Sequence, residues 1–221
     1  MAKDKHSKKL TEKKMGTTLQ PASETDYLSQ EFFDARMVEL RSRVTPKRFA
    51  HCLSVSATAA RMANLYGECE QTAALAGLLH DWDKGYNNEQ AILRVHELDL
   101  DTQLATYIDM PHLLHGPTAA VALGRRFSSL PKEFLSAISL HTTGGTNMSN
   151  LDIIIYVADA IEPARHFDGV DEIRKQVGNA PLTRLFMLTF QHVLHSLVER
   201  GKPIHPNTVD VWNAYIKEGA L

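Results

Sequence analysis

The sequence predicts an all-α fold that follows a polar N-terminal tail. Apolar residues recur at helical spacing through most of the chain, prolines stand at the starts of these segments, and glycines stand at their ends. Apart from one ambiguous run, no segment resembles a β-strand. Of the 221 residues, 43% are hydrophobic and 23% are charged, which is typical of a folded globular domain and excludes collagen-like or fully disordered chains.

The tail, residues 1–25, is rich in lysine and small polar residues and lacks the apolar stretch of a secretory signal. We expect it to be disordered, because it cannot bury enough apolar surface to offset the entropy lost on ordering. A lysine-rich arm can contact RNA or anionic surfaces, but a solubilising role is the favoured interpretation. The remaining residues, 26–221, are expected to form one domain. The whole chain has a net charge of −2, so no overall positive field attracts nucleic acid, and nucleic acid is not an expected partner.

The first two predicted helices have clear boundary signals. Thr45 before Pro46 is a typical helix start, and Gly67 is a typical helix end. The next helix, 70–80, is apolar on nearly every face and should therefore be buried and central. Prolines near the first turn predict further helices at 116–127, 131–141, 181–200 and 206–218. In all, about eight helices are expected.

The run DIIIYV, residues 152–157, is ambiguous. Its β-branched residues favour a buried strand. A helix is favoured instead, because Ser149 and Asp152 form a capping-box pattern and the apolar segment continues to Glu162 before Pro163 ends it.

Four residues on three of these helices suggest a metal site. His80 and Asp81 are adjacent at the end of the central helix, His51 lies on the helix before it, and Asp159 interrupts an apolar run. A carboxylate in such a run is costly to bury unless it is paired or binds a metal. Two histidines and two carboxylates suit Fe, Mn or Zn better than Ca. Each residue alone also has an ordinary structural interpretation, as a satisfied histidine or a hydrogen-bond acceptor between helices.

The pattern H…HD…D resembles the HD-domain superfamily of metal-dependent phosphohydrolases. Longer strings are similar to its YqeK-type members, the symmetrical bis(5′-nucleosyl)-tetraphosphatases. These strings are AGLLHDWDKG, LLHGP, AISLHTTG, IIYVADAIEPAR and GKPIHPNT, and the resemblance runs from about Arg48 to Ala214. The fold it implies is an HD-domain helical bundle over residues 26–221.

The resemblance implies a dinuclear metal centre with two further ligands, His115 and His141. One ion would be held by His51, His80, Asp81 and Asp159. The second would be held by Asp81 as a bridge, together with His115 and His141. A di-iron centre is expected, and manganese and zinc remain open. Two such ions would generate a hydroxide at neutral pH that attacks a phosphate.

The resemblance also implies which residues contact the substrate, in addition to the six ligands. Lys84 is expected to act in catalysis beside Asp81, and one helical turn separates the two if the helix continues. Arg48 and Arg165 are expected to bind phosphate, and Thr142 to donate a hydrogen bond to it. The loop expected to contact the nucleotide comprises Lys202, Pro203, Ile204, His205, Pro206 and Asn207.

The implied activity is hydrolysis of a dinucleoside polyphosphate, diadenosine tetraphosphate, to two ADP. Three alternatives stay open: another nucleotide phosphohydrolase, a cyclic-dinucleotide phosphodiesterase, and a non-enzymatic helical module that senses nucleotides. The two cysteines form no CxxC motif and fit the reducing cytoplasm, and no apolar run is long enough to span a membrane. The oligomeric state stays open, a homodimer included.

Overall fold

The computed structural model describes residues 26–101, 103–217 and 219, so the predicted tail at 1–25 lies outside the described residues. Within this part of the chain the fold is all-α, as predicted, and two short 3₁₀ turns at Ala105–Tyr107 and Pro111–Leu113 join its helices. The helices are α1 Gln30–Arg43, α2 Pro46–Tyr66, α3 Glu70–Leu79, α4 Asn88–Glu97, α5 His115–Arg126, α6 Lys132–Leu140, α7 Asn150–Ile161, α8 Val170–Gln176, α9 Leu182–Glu199 and α10 Pro206–Lys217.

Helix α2 starts and ends at the residues that the sequence predicts. The Thr45 hydroxyl accepts a hydrogen bond from the backbone N–H of Arg48 at 3.2 Å, which satisfies one of the free N–H groups of the first turn. Gly67 ends the helix with φ of 76°, a left-handed conformation that costs glycine little.

Helices α2 and α3 pack unusually closely at Gly77. A Cβ atom on this glycine would lie 2.9 Å from the Cα of Ser56, so a larger residue would push the two backbones apart. The Ser56 hydroxyl donates to the carbonyl of Ala74 at 2.7 Å across the same contact. This close packing holds the start of α2, with His51, beside the end of α3, with His80.

Helix α7 resolves the ambiguous run in favour of a helix. Its capping box is complete: the Ser149 N–H donates to the Asp152 carboxylate at 2.8 Å, and the Asp152 N–H donates to the Ser149 hydroxyl at 3.2 Å. The apolar residues of α7 are buried on several faces because the helix packs against α2, α6 and α9. Tertiary burial therefore outweighs the β propensity of the three isoleucines.

Three helices were not assigned from the sequence, namely α1, α4 and α8. Helix α4 carries a usable signal, since Asn87 and Gln90 form a complete capping box at its start. Helix α3 ends one residue earlier than predicted, and tight turns follow it. In these turns the N–H of Trp82 donates to the carbonyl of Leu79, and the N–H of Lys84 donates to that of Asp81, both at 3.0 Å.

The core gathers where α2, α3, α6, α7 and α9 meet. Phe134, Phe186 and Phe190 are fully buried there, and Tyr156 packs edge-on against Phe186 with ring centroids 4.9 Å apart. Among the described residues, no helix combines the length and the apolar character that a membrane-spanning segment needs.

Candidate metal centre

The predicted ligands converge at one place from five helices. His51 lies on α2, the pair His80-Asp81 follows α3, His115 is the first residue of α5, His141 follows α6 and Asp159 is near the end of α7. Helix ends let side chains reach inward without displacing the apolar core. Their donor atoms form two compact groups in which all atoms lie within 4.8 Å of one another: His51, His80 and Asp159 in one, and Asp81, His115 and His141 in the other.

Asp81 lies between the two groups and turns one carboxylate oxygen toward each. Its Oδ2 is 3.2 Å from Nε2 of His80 and 3.9 Å from Nε2 of His51. Its Oδ1 is 3.2 Å from Nε2 of His115 and 3.7 Å from Nε2 of His141. This is the arrangement expected of a carboxylate that bridges two cations.

Three of the four histidine rings are oriented by the same kind of hydrogen bond. Nδ1 of His80, His115 and His141 contacts the backbone carbonyl three residues earlier, at 2.7, 2.8 and 2.7 Å respectively. A carbonyl can only accept, so Nδ1 carries the proton and, in a neutral ring, Nε2 keeps its lone pair. The Nε2 atoms therefore face the centre as ligands, held by the outer hydrogen bonds typical of metal-binding histidines.

The donor set fits a pair of divalent cations. Nε2 of His115 and Nε2 of His141 are only 3.0 Å apart, and two lone pairs at that distance repel unless a cation or a proton lies with them. Nε2 of His80 is buried and has no hydrogen-bond partner among the residues that the structure describes. A mixed nitrogen and oxygen set of this kind suits Fe, Mn or Zn.

The charges at the centre favour cation binding. Burial opposes ionisation of Asp81, yet the neighbouring His80, His115 and His141 outweigh burial and hold the pKa of Asp81 well below its usual value. Burial likewise opposes ionisation of Asp159, but His51, His80 and Arg165 lower its pKa strongly. Burial lowers the pKa of His115 to about 4, so this ring is neutral and able to ligate at neutral pH.

Three cationic side chains surround the ligands. Arg48 Nη1 donates to Oδ2 of Asp81 at 2.8 Å, and Arg165 Nη2 donates to Oδ1 of Asp159 at 2.6 Å. Lys84 Nζ lies 3.3 Å from Nδ1 of His115, and burial lowers its pKa. The i to i+3 turn keeps Lys84 beside Asp81 even though α3 has ended.

The profile of the HD-domain family matches residues 48–164, which contain all six predicted ligands. The chain belongs to the HD-domain family. It is 32% identical to a symmetrical bis(5′-nucleosyl)-tetraphosphatase of Halalkalibacterium halodurans over 81% of this chain and 94% of that protein. It is 29% identical to a Bacillus subtilis protein of the same name, over 79% and 92% of the two chains.

A solved HD-domain structure has the same fold. It is described as a predicted HD superfamily hydrolase involved in NAD metabolism, from Clostridium acetobutylicum. The TM-score is 0.75 and the identity 33%, and the match covers 84% of this chain and 97% of that one.

We call the cluster of the six predicted ligands the HD centre. A cavity of 520 Å³ opens beside it, between the start of α2 and the turn after α7. Arg48, His51 and Arg165 line it, so one predicted ligand, His51, borders a space large enough for part of a nucleotide. On the opposite half, the Thr142 hydroxyl is 3.1 Å from Nε2 of His141. Arg48, beside Asp81, and Thr142, beside His141, therefore lie next to predicted ligands, and their contact with phosphate stays a prediction.

The segment 202–207 lies next to the loop after His141 rather than on the ligands themselves. The Asn207 amide donates to the carbonyl of Gly144 at 3.2 Å. His205 is buried and packs against Tyr107 with ring centroids 4.1 Å apart and the ring planes tilted by 32°. Ile204 is partly buried, and Lys202, Pro203 and Pro206 are exposed. His205, Pro206 and Asn207 border a second cavity of 420 Å³, whereas Lys202, Pro203 and Ile204 are not among its lining residues. Tyr107 and Gly144 are further wall residues that the sequence did not indicate.

Glu162 is a residue beside this centre that the sequence did not indicate. It is 2% exposed and accepts hydrogen bonds from His51 Nδ1 at 3.0 Å, the Ser54 hydroxyl at 2.7 Å and the Ala164 N–H at 2.7 Å. Burial opposes its ionisation, but these three donors outweigh burial and lower its pKa. Its sequence position, directly before Pro163, indicates only the end of a helix.

Proposed function

We propose that this HD-domain protein is a metal-dependent hydrolase that cleaves diadenosine tetraphosphate symmetrically to two ADP. The observation that carries the hydrolase proposal is the orientation of Asp81, which offers one oxygen to each of two ligand groups. The substrate follows from the names of the relatives. The two described above are both named symmetrical bis(5′-nucleosyl)-tetraphosphatases, and the match covers nearly the whole length of each.

The two ligand groups divide six residues between two divalent ions. One ion would be held by His51, His80, Asp81 and Asp159, and the other by Asp81, His115 and His141. Iron is our first choice for both, with manganese and zinc as alternatives, because all three accept mixed imidazole and carboxylate ligands. When bound, such a pair supplies a nucleophile from water at neutral pH and stabilises the charge of the attacking and leaving oxygens.

The cationic side chains are suited to a polyphosphate. A dinucleoside tetraphosphate carries several negative charges, more than the ligand-bound cations can neutralise. Arg48, Lys84 and Arg165 add three positive groups around the ligands, and a guanidinium binds two phosphate oxygens at once. The Thr142 hydroxyl adds a hydrogen-bond donor on the side of His141.

In the proposed reaction one water molecule is consumed and one phosphoanhydride bond is broken. Water attacks one of the two middle phosphorus atoms, the bond to the central bridging oxygen breaks, and that oxygen leaves with the other half as ADP. The water oxygen remains on the attacked phosphorus, which completes the second ADP. Lys84, beside His115, is placed to stabilise the negative charge of the leaving oxygen.

The two nucleosides need separate walls, one at each side of the centre. The cavity beside Arg48 and Arg165 is suited to one half of the substrate, and the cavity beside Asn207 is suited to the other. The packed rings of His205 and Tyr107 offer an aromatic surface at the second cavity. Both cysteines are free in the structure, which agrees with a reducing compartment, and we propose the cytoplasm as the site of action.

Product analysis tests the proposal. Purified protein loaded with Fe²⁺, Mn²⁺ or Zn²⁺ is incubated with diadenosine tetraphosphate, and the products are separated by chromatography. ADP as the only nucleotide product supports symmetrical hydrolysis. Equal amounts of AMP and ATP would contradict it, and turnover of a cyclic dinucleotide in place of diadenosine tetraphosphate would favour the phosphodiesterase alternative.

A further inference from the structure

The four ligand histidines are not held alike. Three donate from Nδ1 to a neutral backbone carbonyl of their own chain segment. The fourth, His51, faces the carboxylate of Glu162, with its Nδ1 3.0 Å from Oε1. The two residues are 111 positions apart, so this contact exists only because the end of α7 meets the start of α2.

The geometry points to Glu162 as a positioning residue that makes the two halves of the HD centre bind metal unequally. A carboxylate that accepts the Nδ1 proton of a ligand histidine holds the ring in place and makes Nε2 a stronger donor than a carbonyl partner does. The half with His51 should therefore bind its ion more tightly than the half with His115 and His141. This inference rests on the proposed dinuclear centre.

The direction of the His51 ring supports the inference. Its Nε2 lies 2.9 Å from Oδ1 of Asp159, so the ring is aimed at the other ligands of the same half. Because Nδ1 donates to Glu162, Nε2 of the neutral ring is an acceptor that faces the Asp159 carboxylate. In this structure Arg165 Nη2 is the positive group beside both atoms, 3.4 Å from Nε2 of His51 and 2.6 Å from Oδ1 of Asp159, and a metal ion bound by the two residues would replace it there. Glu162 thus acts on the metal through His51.

The two oxygens of Glu162 have separate tasks. Oε1 faces His51, whereas Oε2 accepts both from the Ser54 hydroxyl and from the Ala164 N–H, each at 2.7 Å. The two hydrogen bonds to Oε2 cap the turn after α7, which is a structural role. The substitution Glu162→Gln separates the tasks, because the amide oxygen at the Oε2 position keeps both of its donors. The amide nitrogen then faces Nδ1 of His51 and cannot accept its proton.

The experiment is a titration of the metal-free protein with Mn²⁺. Binding is measured by calorimetry and by the electron paramagnetic resonance signal of the ion. We expect two binding steps in the wild-type protein. Glu162→Gln should raise the dissociation constant of the tighter step by about 10- to 100-fold and leave the weaker step unchanged. In a His141→Ala background, which removes a ligand from the other half, the same substitution should still weaken the tight step.

Two control variants separate the metal effect from a loss of structure. Asp152→Asn removes another buried carboxylate, at the opposite end of α7, and should leave both steps unchanged. Ser54→Ala removes a donor to Oε2 but keeps the charge beside His51. The dissociation constant of the tighter step should therefore stay within about threefold of wild type, a far smaller change than that expected for Glu162→Gln. If Glu162→Gln does not fold, the shorter carboxylate of Glu162→Asp serves in its place, with a smaller weakening expected.

Each result bears on one proposal or the other. Two steps that are unchanged in Glu162→Gln, or a shift of the weaker step alone, would overturn the role of Glu162 while leaving the hydrolase proposal intact. Weakening of the tight step in a protein that does not cleave diadenosine tetraphosphate would support Glu162 and overturn the proposed activity. A wild-type protein that binds no Mn²⁺ would overturn the dinuclear centre and this inference with it.

Discussion

Oδ1 of Asp81 lies 3.2 Å from Nε2 of His115, while the other oxygen of the same carboxylate lies 3.2 Å from Nε2 of His80. One short side chain thus contacts both ligand groups of the HD centre. The backbone places it there, because Asp81 immediately follows the end of α3 and leads into a tight turn. Most of the expected behaviour of the centre follows from this position.

Substitution Asp81→Ala should abolish hydrolysis and lower the metal content, because it removes a ligand from both halves of the centre. The change is checked by elemental analysis of the purified variant beside an assay of ADP formation. Asp83→Ala is not a suitable control, since Asp83 is itself buried and pairs with Arg43 at 2.9 Å. Asp171→Ala, an exposed carboxylate on α8, is the better one. Full activity in Asp81→Ala would contradict a dinuclear mechanism.

Substitution Lys84→Ala should lower kcat/KM by about 100-fold, the usual effect of losing one group that stabilises developing charge. Its metal content should stay at the wild-type level, because Lys84 is adjacent to His115 but is not a ligand. Lys175→Ala is the matched control, since that lysine is exposed and pairs only with Glu172 among the described contacts. Loss of metal in Lys84→Ala would show that the lysine supports the ligands instead of the substrate.

Deletion of residues 1–25 should leave hydrolysis unchanged. The described residues of the centre and of its two cavities lie between Thr45 and Asp210. Steady-state kinetics of the truncated and full-length proteins, measured at equal metal content, checks this. A truncated protein that folds and binds metal but does not turn over would assign the tail a part in catalysis.

Substitution Gly77→Ala should destabilise the fold by about 1–3 kcal/mol, because its Cβ would meet the backbone of Ser56 at 2.9 Å and neither helix can yield cheaply. Thermal unfolding of the metal-free protein measures the effect. Gly124→Ala is the matched helical control, since its Cβ meets only the flexible end of the Leu135 side chain. Equal melting temperatures for the two variants would mean that the close packing of α2 and α3 contributes little.

Acid should remove the stability that Asp159 contributes to the metal-free protein. Burial opposes its ionisation, but His51, His80 and Arg165 lower its pKa in the folded state, so its contribution is present above the unfolded pKa of about 3.9 and is lost as the pH falls below it. The advantage of wild type over Asp159→Asn should therefore shrink by about 2 kcal/mol between pH 5 and pH 2. Urea unfolding at a series of pH values measures it, and a constant advantage would contradict the ion pair.

Local signals in the sequence were enough for most of the fold. Pro46, Gly67 and the capping box of Ser149 act within one turn of chain, so they can be recognised without knowing the neighbours. The short helices α4 and α8 were missed because their apolar contribution is small, even though Asn87 and Gln90 mark the start of α4.

The sequence by itself determined which residue types this protein brings to its centre and on which helices they stand, because motifs and helix boundaries are written in neighbouring residues. Only the tertiary structure decided that the two oxygens of Asp81 face different histidines and that Glu162 supports His51. The physical reason is distance along the chain: the contact of His51 with Glu162 joins residues 111 positions apart, and only the packing of α2 against α7 brings them together.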